Sequence, residues 1–63
     1  MRLGRALTLA YVLTHEGCTS ADICRATGRA MSTVAEQLQA LREAGLVQPV
    51  RHAGTKRRTW VRA

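Results

Sequence analysis

The chain has 63 residues, of which 46% are hydrophobic and 22% charged, and it carries a formal charge of +6. A chain this short buries only about 60% of the surface its unfolded form exposes, which excludes a second core and makes a deep catalytic pocket an unfavourable expectation. Its apolar residues are spread throughout and broken by charges at short intervals, the composition of one folded domain and not of a disordered tail.

From Leu3 to His15, the residues Ala6, Leu9, Ala10 and Leu13 recur at the spacing of an apolar helical stripe, with Leu7 and Tyr11 on its flank. Arg2 and Arg5 precede this stretch, but it has no cleavage pattern. No run approaches the roughly 20 apolar residues of a membrane span, so the expectation is a cytoplasmic protein with no membrane partner. Gly17 suits the left-handed residue that ends a helix before a turn at Cys18.

Thr19 and Asp22 have the spacing of a capping box, which starts a second helix of about two turns, from about Ser20 to Thr27. Ile23 and Ala26 are its expected core contacts, and Gly28 supplies the stop. Two cysteines are too few for a secreted disulfide framework, so Cys18 and Cys24 read as reduced thiols.

Either Ser32 or Ala30 precedes a third helix, in which Val34, Leu38 and Leu41 form the buried stripe and Gly45 follows the last residue, Ala44. Its opposite face carries Ser32, Glu36, Gln39, Ala40 and Glu43, with Thr33 and Gln37 at one margin. Beyond Gly45, a β-prone run to Arg51 and a second from Arg57 to Val61 flank a Gly-containing loop, which predicts a hairpin. Pro49 lacks a backbone donor and so belongs on an edge.

Charge is concentrated in this hairpin. Residues 51–63 hold Arg51, Lys56, Arg57, Arg58 and Arg62 with no acid, while the preceding 50 residues hold five basic and four acidic side chains. A cationic end of this kind fits a polyanion, although a solvated basic tail has the same composition.

The fold class is therefore mainly α with a small β-hairpin. It forms one domain over residues 1–63, with a helix-turn-helix at about 19–44 and a wing at about 46–62. Thr19-Ser20-Ala21-Asp22-Ile23, then Ala26-Thr27-Gly28, Ser32-Thr33-Val34, Leu38, Leu41 and Arg42-Glu43-Ala44-Gly45-Leu46-Val47 carry a resemblance. The chain resembles bacterial transcription regulators of the MarR, IclR and ArsR type, which are winged helix-turn-helix proteins. It departs from their pattern at Arg29, where an apolar residue is usual, and at Ala30, where a serine or similar cap is usual. If Met31 fills the apolar role, Ser32 becomes the cap and the third helix begins late.

The resemblance implies that the third helix enters the major groove of double-stranded DNA while the wing follows the backbone. A groove about 12 Å wide admits one helix whose outward face can read base edges. The base-contacting set is then Ser32, Thr33, Glu36 and Gln37, with Gln39 beside them. Gln37 suits adenine, Thr33 a thymine methyl and Glu36 the amino group of cytosine. The plainer reading stays open, in which Ser32 and Thr33 begin the helix and Glu36 and Gln37 are merely solvated.

Phosphate contacts are expected from Arg29, Arg51, Lys56, Arg57 and Arg58, with Arg2, Arg5 and Arg25 as additions. Four to six such contacts give a log-log salt slope of about −4 to −5. Trp60 reads as packing against the helix ends and His52 as part of the wing. His15, Cys18, Cys24 and His52 lack the paired spacing of a zinc site, so no metal or cofactor is expected.

One copy of so small a surface binds weakly, so a homodimer or a cooperative assembly on DNA is expected, with helix one as the partner surface. Within these 63 residues no separate ligand-sensing domain is expected. Transcriptional repression is the expected activity. Docking on another protein is the rival reading, because the third helix is nearly neutral. An enzyme is not expected, since no nucleophile-base pair, carboxylate pair or glycine-rich phosphate loop is present.

Overall fold

The computed structural model describes residues 3–54 and 57–63. Three helices, α1 (Leu3–Thr14), α2 (Ser20–Thr27) and α3 (Met31–Glu43), precede strands β1 (Val47–Arg51) and β2 (Arg58–Arg62). Val12, Cys18, Ile23, Val34, Leu38, Leu41, Val47 and Trp60 form one core, to which every element contributes.

The second helix forms where its caps dictate. Asp22 N donates to Thr19 Oγ1 at 3.2 Å and Thr19 N to Asp22 Oδ2 at 3.0 Å, which satisfies two amides that the helix ladder leaves open. At the other end Gly28 adopts φ +69°, and its N–H reaches Cys24 O at 2.8 Å. A side chain at that φ is strained, so glycine ends the helix and turns the chain toward α3. Ile23 is buried as expected, but Ala26 is exposed, because Thr27 and Cys24 flank Ile23 on the inward side.

Helix α3 buries Val34, Leu38 and Leu41, the expected stripe. Its cap is Ala30 and not Ser32. The first ladder bond runs from Val34 N to Ala30 O at 3.1 Å, so burial of Val34 fixes the start, and Ser32 lies in the first turn. Met31 does not fill an apolar slot; it is half exposed, with its Sδ 3.8 Å from Cys24 Sγ.

The phase of α1 differs from expectation. Thr8 and Val12 are the buried positions, whereas Leu3, Leu7, Ala10 and Leu13 lie on the exposed side. This helix is apolar nearly all round, so hydrophobicity alone does not choose a face. The choice falls to Thr8, whose hydroxyl finds acceptors inside in Gly4 O and Gln37 Oε1.

The hairpin pairs Val47 with Arg62 through Arg51 with Arg58, antiparallel. Its inner strand β2 has a second neighbour, because Trp60 N donates to Cys18 O at 2.8 Å and Gly17 N donates to Trp60 O at 2.9 Å. Both backbone groups of Trp60 thus point away from β1. Pro49, opposite Trp60, occupies a pair with no ladder bond, so its missing N–H costs nothing on this edge strand. Trp60 is 5% exposed and packs into the core, while His52 Nε2 meets Thr59 Oγ1 at 3.0 Å within the wing.

Candidate nucleic-acid interface

Burial of Val34, Leu38 and Leu41 forces the opposite side of α3 outward. Ser32, Glu36, Gln39 and Glu43 are all exposed there. One flank of this face, Ala35 and Gln39, turns toward the wing; the other, Thr33 and Gln37, turns toward α1.

Between α3 and the wing lies a groove of about 490 Å³, lined by Ala35 and Gln39 of α3, Arg57 and Arg58 of the wing, and Ser20 and Ala21 at the start of α2. The outward side of α3 and the cationic hairpin therefore share one concave surface. Asp22 lines a separate cavity with His52, Arg57 and Thr59. The Thr19 amide, then Arg25 at 2.7 Å, hold its carboxyl below the usual carboxylate range.

The α1 side carries a second cavity, of about 310 Å³, lined by Gly4, Arg5, Arg29, Thr33, Glu36 and Gln37. Gln37 is half-buried, and its Oε1 accepts from Thr8 Oγ1. Gly4 lacks a Cβ where one would stand 2.7 Å from Gln37 Nε2 and 3.0 Å from Arg29 Cζ, so glycine lets both side chains lie against the first turn of α1.

The residues expected to read bases thus divide. Ser32 and Glu36 sit on the exposed face, Thr33 is half-buried, and Gln37 is tied inward. Of the expected phosphate contacts, Arg51, Arg57 and Arg58 lie together on the wing, and Arg29 lies on the α1 side of α3. Lys56 and Arg2 lie outside the described residues. Sequence reasoning missed Ser20 and Ala21, whose place beside the wing depends on the Cys18–Trp60 bridge, a pairing that no local pattern marks. It also left Arg5 as an addition, although Arg5 shares a cavity with Arg29.

Both cysteines are free thiols. Burial pushes the Cys18 thiol up, partly offset by its backbone hydrogen bond. The described residues contain no cluster of three or more metal-binding side chains, and none of their helices is long and apolar enough to cross a membrane.

Three helices, a tight turn between the second and third, and an antiparallel hairpin packed beside them define a winged helix-turn-helix domain. The chain belongs to the MarR family, whose profile matches residues 2–58. Among solved structures it is similar to a MepR variant of Staphylococcus aureus bound to an oligodeoxyribonucleotide, with TM-score 0.92 and 27% identity over 100% of this chain and 48% of that one. The domain of Mb0332 from Mycobacterium bovis, described as a homodimeric winged helix-turn-helix DNA-binding domain, gives 0.78 at 31% identity over 97% and 55%. PcaV of Streptomyces coelicolor, in complex with its natural ligand, gives 0.90 at 20% identity over 100% and 45%, a likeness of fold. The chain spans about half the length of these solved chains. A comparison with curated proteins gives no match.

Proposed function

We propose that the chain binds double-stranded DNA in a sequence-specific manner as the DNA-binding domain of a transcription regulator, acting as a repressor. In this reading α3 enters the major groove, Ser32, Thr33, Glu36 and Gln37 face base edges, and Arg29, Arg51, Lys56, Arg57 and Arg58 meet phosphates. The observation that carries it is the shared groove, in which Gln39 of α3 and Arg57 and Arg58 of the wing line one concavity. A single duplex can touch a helix and a cationic hairpin only if they face the same side. The MepR variant that gives a TM-score of 0.92 is bound to an oligodeoxyribonucleotide, which supports the same reading.

Gln37 enters with a cost. A bidentate pairing with adenine needs its carbonyl oxygen, which Thr8 engages, so reading adenine requires that bond to open. Glu36 discriminates chiefly by exclusion, since a carboxylate near phosphates is repelled unless a cytosine amino group meets it. The complex is proposed to be a homodimer. Leu3, Leu7 and Leu13 are 74%, 45% and 38% exposed on one side of α1, and the Mb0332 domain is described as homodimeric.

Selection from a random duplex pool tests the proposal. Enrichment of a palindromic sequence is the expected result. Recovery of the unenriched pool, with affinity that depends on salt alone, would overturn sequence-specific binding. Repression is tested by placing the selected sequence across a promoter and measuring transcription with and without the protein.

A further inference from the structure

The Nε atoms of Arg5 and Arg29 are buried, and neither has a hydrogen-bond partner among the described residues. Neither guanidinium forms an ion pair within those residues. An arginine is charged at every accessible pH and presents its donors in a rigid fork. A half-buried guanidinium whose covered Nε has no partner and which forms no ion pair therefore keeps its other N–H groups available to an acceptor in the cavity it lines. These two, one from the first turn of α1 and one from the turn before α3, line a single cavity of about 310 Å³. Buried donors of this kind call for a physical account, and two in one cavity call for a shared one.

The surroundings are suited to negative charge. Ala30 caps α3 without a side-chain hydrogen bond, so the amides of the first turn keep their positive end beside Arg29. Thr33 adds a hydroxyl to the lining, and Gln37, whose Oε1 is engaged by Thr8, has its amide nitrogen left to donate. Gly4 leaves room for the Arg29 guanidinium against α1. Glu36 opposes an anion from the exposed rim, and it is the one carboxylate among the residues lining the cavity.

We propose that this cavity is an oxyanion site, in which the Arg5 and Arg29 guanidiniums hold a phosphate or carboxylate group between α1 and the start of α3. The group belongs either to a small anion free in solution or to the backbone of a duplex; the recognising chemistry is the same. In both cases the anion ties α1 to the end of α3 that is proposed to read bases, so occupancy of the cavity sets the position of that end. The site lies apart from the wing, and where the group is a duplex phosphate it rests on the DNA-binding reading above, in which Arg29 meets phosphate.

Inorganic phosphate is the probe, titrated into the ¹⁵N-labelled chain at constant ionic strength without DNA, so the result stands apart from the DNA-binding reading. Saturable shifts of the Arg5 and Arg29 Nε–H resonances are expected, larger than those of Arg58 and Arg62. The double variant Arg5→Gln with Arg29→Gln should bind at least about tenfold more weakly, the loss expected for charge-assisted hydrogen bonds. Arg5→Lys with Arg29→Lys keeps the charge and loses the fork. It should also bind more weakly while unfolding at an unchanged temperature, which separates recognition from folding. Glu36→Gln should strengthen phosphate binding. Repeating the titration on the duplex-saturated protein identifies the source: exclusion of phosphate points to a backbone phosphate in the cavity, and undiminished binding to a free anion. Shifts that rise without saturation, or that are no larger at Arg5 and Arg29 than at Arg58 and Arg62, would overturn the proposal.

Discussion

Thr8 of α1 and Gln37 of α3, 29 residues apart, are joined by a hydrogen bond, and Thr8 has no solvent exposure at all. The Thr8 hydroxyl also lies 3.1 Å from Gly4 O, so its one proton is shared between two acceptors. This pairing fixes which side of α1 faces inward, and it withdraws Gln37 from the outward face of α3. Thr8→Val keeps the volume and strips the partner from Gln37, which should cost about 1–3 kcal/mol of stability. Adding Gln37→Leu should recover much of that loss, because an apolar pair leaves no orphaned group. Urea denaturation of the two single variants and the double variant gives the coupling directly.

Removal of the wing cations should weaken duplex binding without regard to sequence. Arg57→Ala with Arg58→Ala is expected to make the log-log salt slope shallower by about 2, from about −4 to −5 in the parent. Anisotropy titrations at several salt concentrations measure it. Glu36→Gln should instead leave the slope near its parent value, or steepen it slightly, while widening the set of sequences recovered by selection.

Stability should fall in acid through Asp22. Its folded-state carboxyl lies below its ordinary value of 3.8, first because the Thr19 amide donates to it and then because Arg25 does. A depressed value means the contribution is present above the ordinary value and disappears as pH falls through the folded one. The urea midpoint should therefore drop below about pH 4, and Asp22→Asn should flatten that part of the profile. Thr19→Ala, which removes the reciprocal half of the box, should cost about 1 kcal/mol at neutral pH.

Iodoacetamide should discriminate between the two thiols. Cys18 is 6% exposed, and burial raises its pKa, so little thiolate is present at neutral pH and little of it is reachable. Cys24 is half-buried beside Met31 and should react first, as mass spectrometry of partially modified protein will register.

If the exposed side of α1 joins two copies, Leu7→Glu with Leu13→Glu should convert the dimer to monomer while the thermal midpoint of the monomer stays nearly unchanged. Both residues lie off the core, so the substitution spares folding. Sedimentation across a concentration series decides it, and a parent chain that remains monomeric at high concentration with and without duplex removes the dimer.

Much of the fold was legible because local rules agree with tertiary ones. The Thr19–Asp22 box, Gly28 and the Val34, Leu38, Leu41 stripe each mark a boundary or a face that packing then keeps. The pattern failed at α1, where a helix with apolar residues all round offers two faces, and the inward one is chosen by a polar residue with a distant partner. Between Ala30 and Ser32, both open as the start of α3, the pattern did not choose; the ladder bond from the buried Val34 to Ala30 puts the cap two residues ahead of Ser32. Within the candidate interface, the cationic wing was readable from composition. The inward turn of Gln37 and the meeting of Arg5 with Arg29 were not, because each depends on how α1 and α3 cross.

The backbone of Trp60 has a mechanical consequence. Because its amide and carbonyl are both spent on Gly17 and Cys18, the hairpin is clamped to the peptide immediately ahead of the Thr19 box instead of dangling from its own two ends. A displacement of the arginine-bearing arm is thus passed through these two bonds to the entrance of α2.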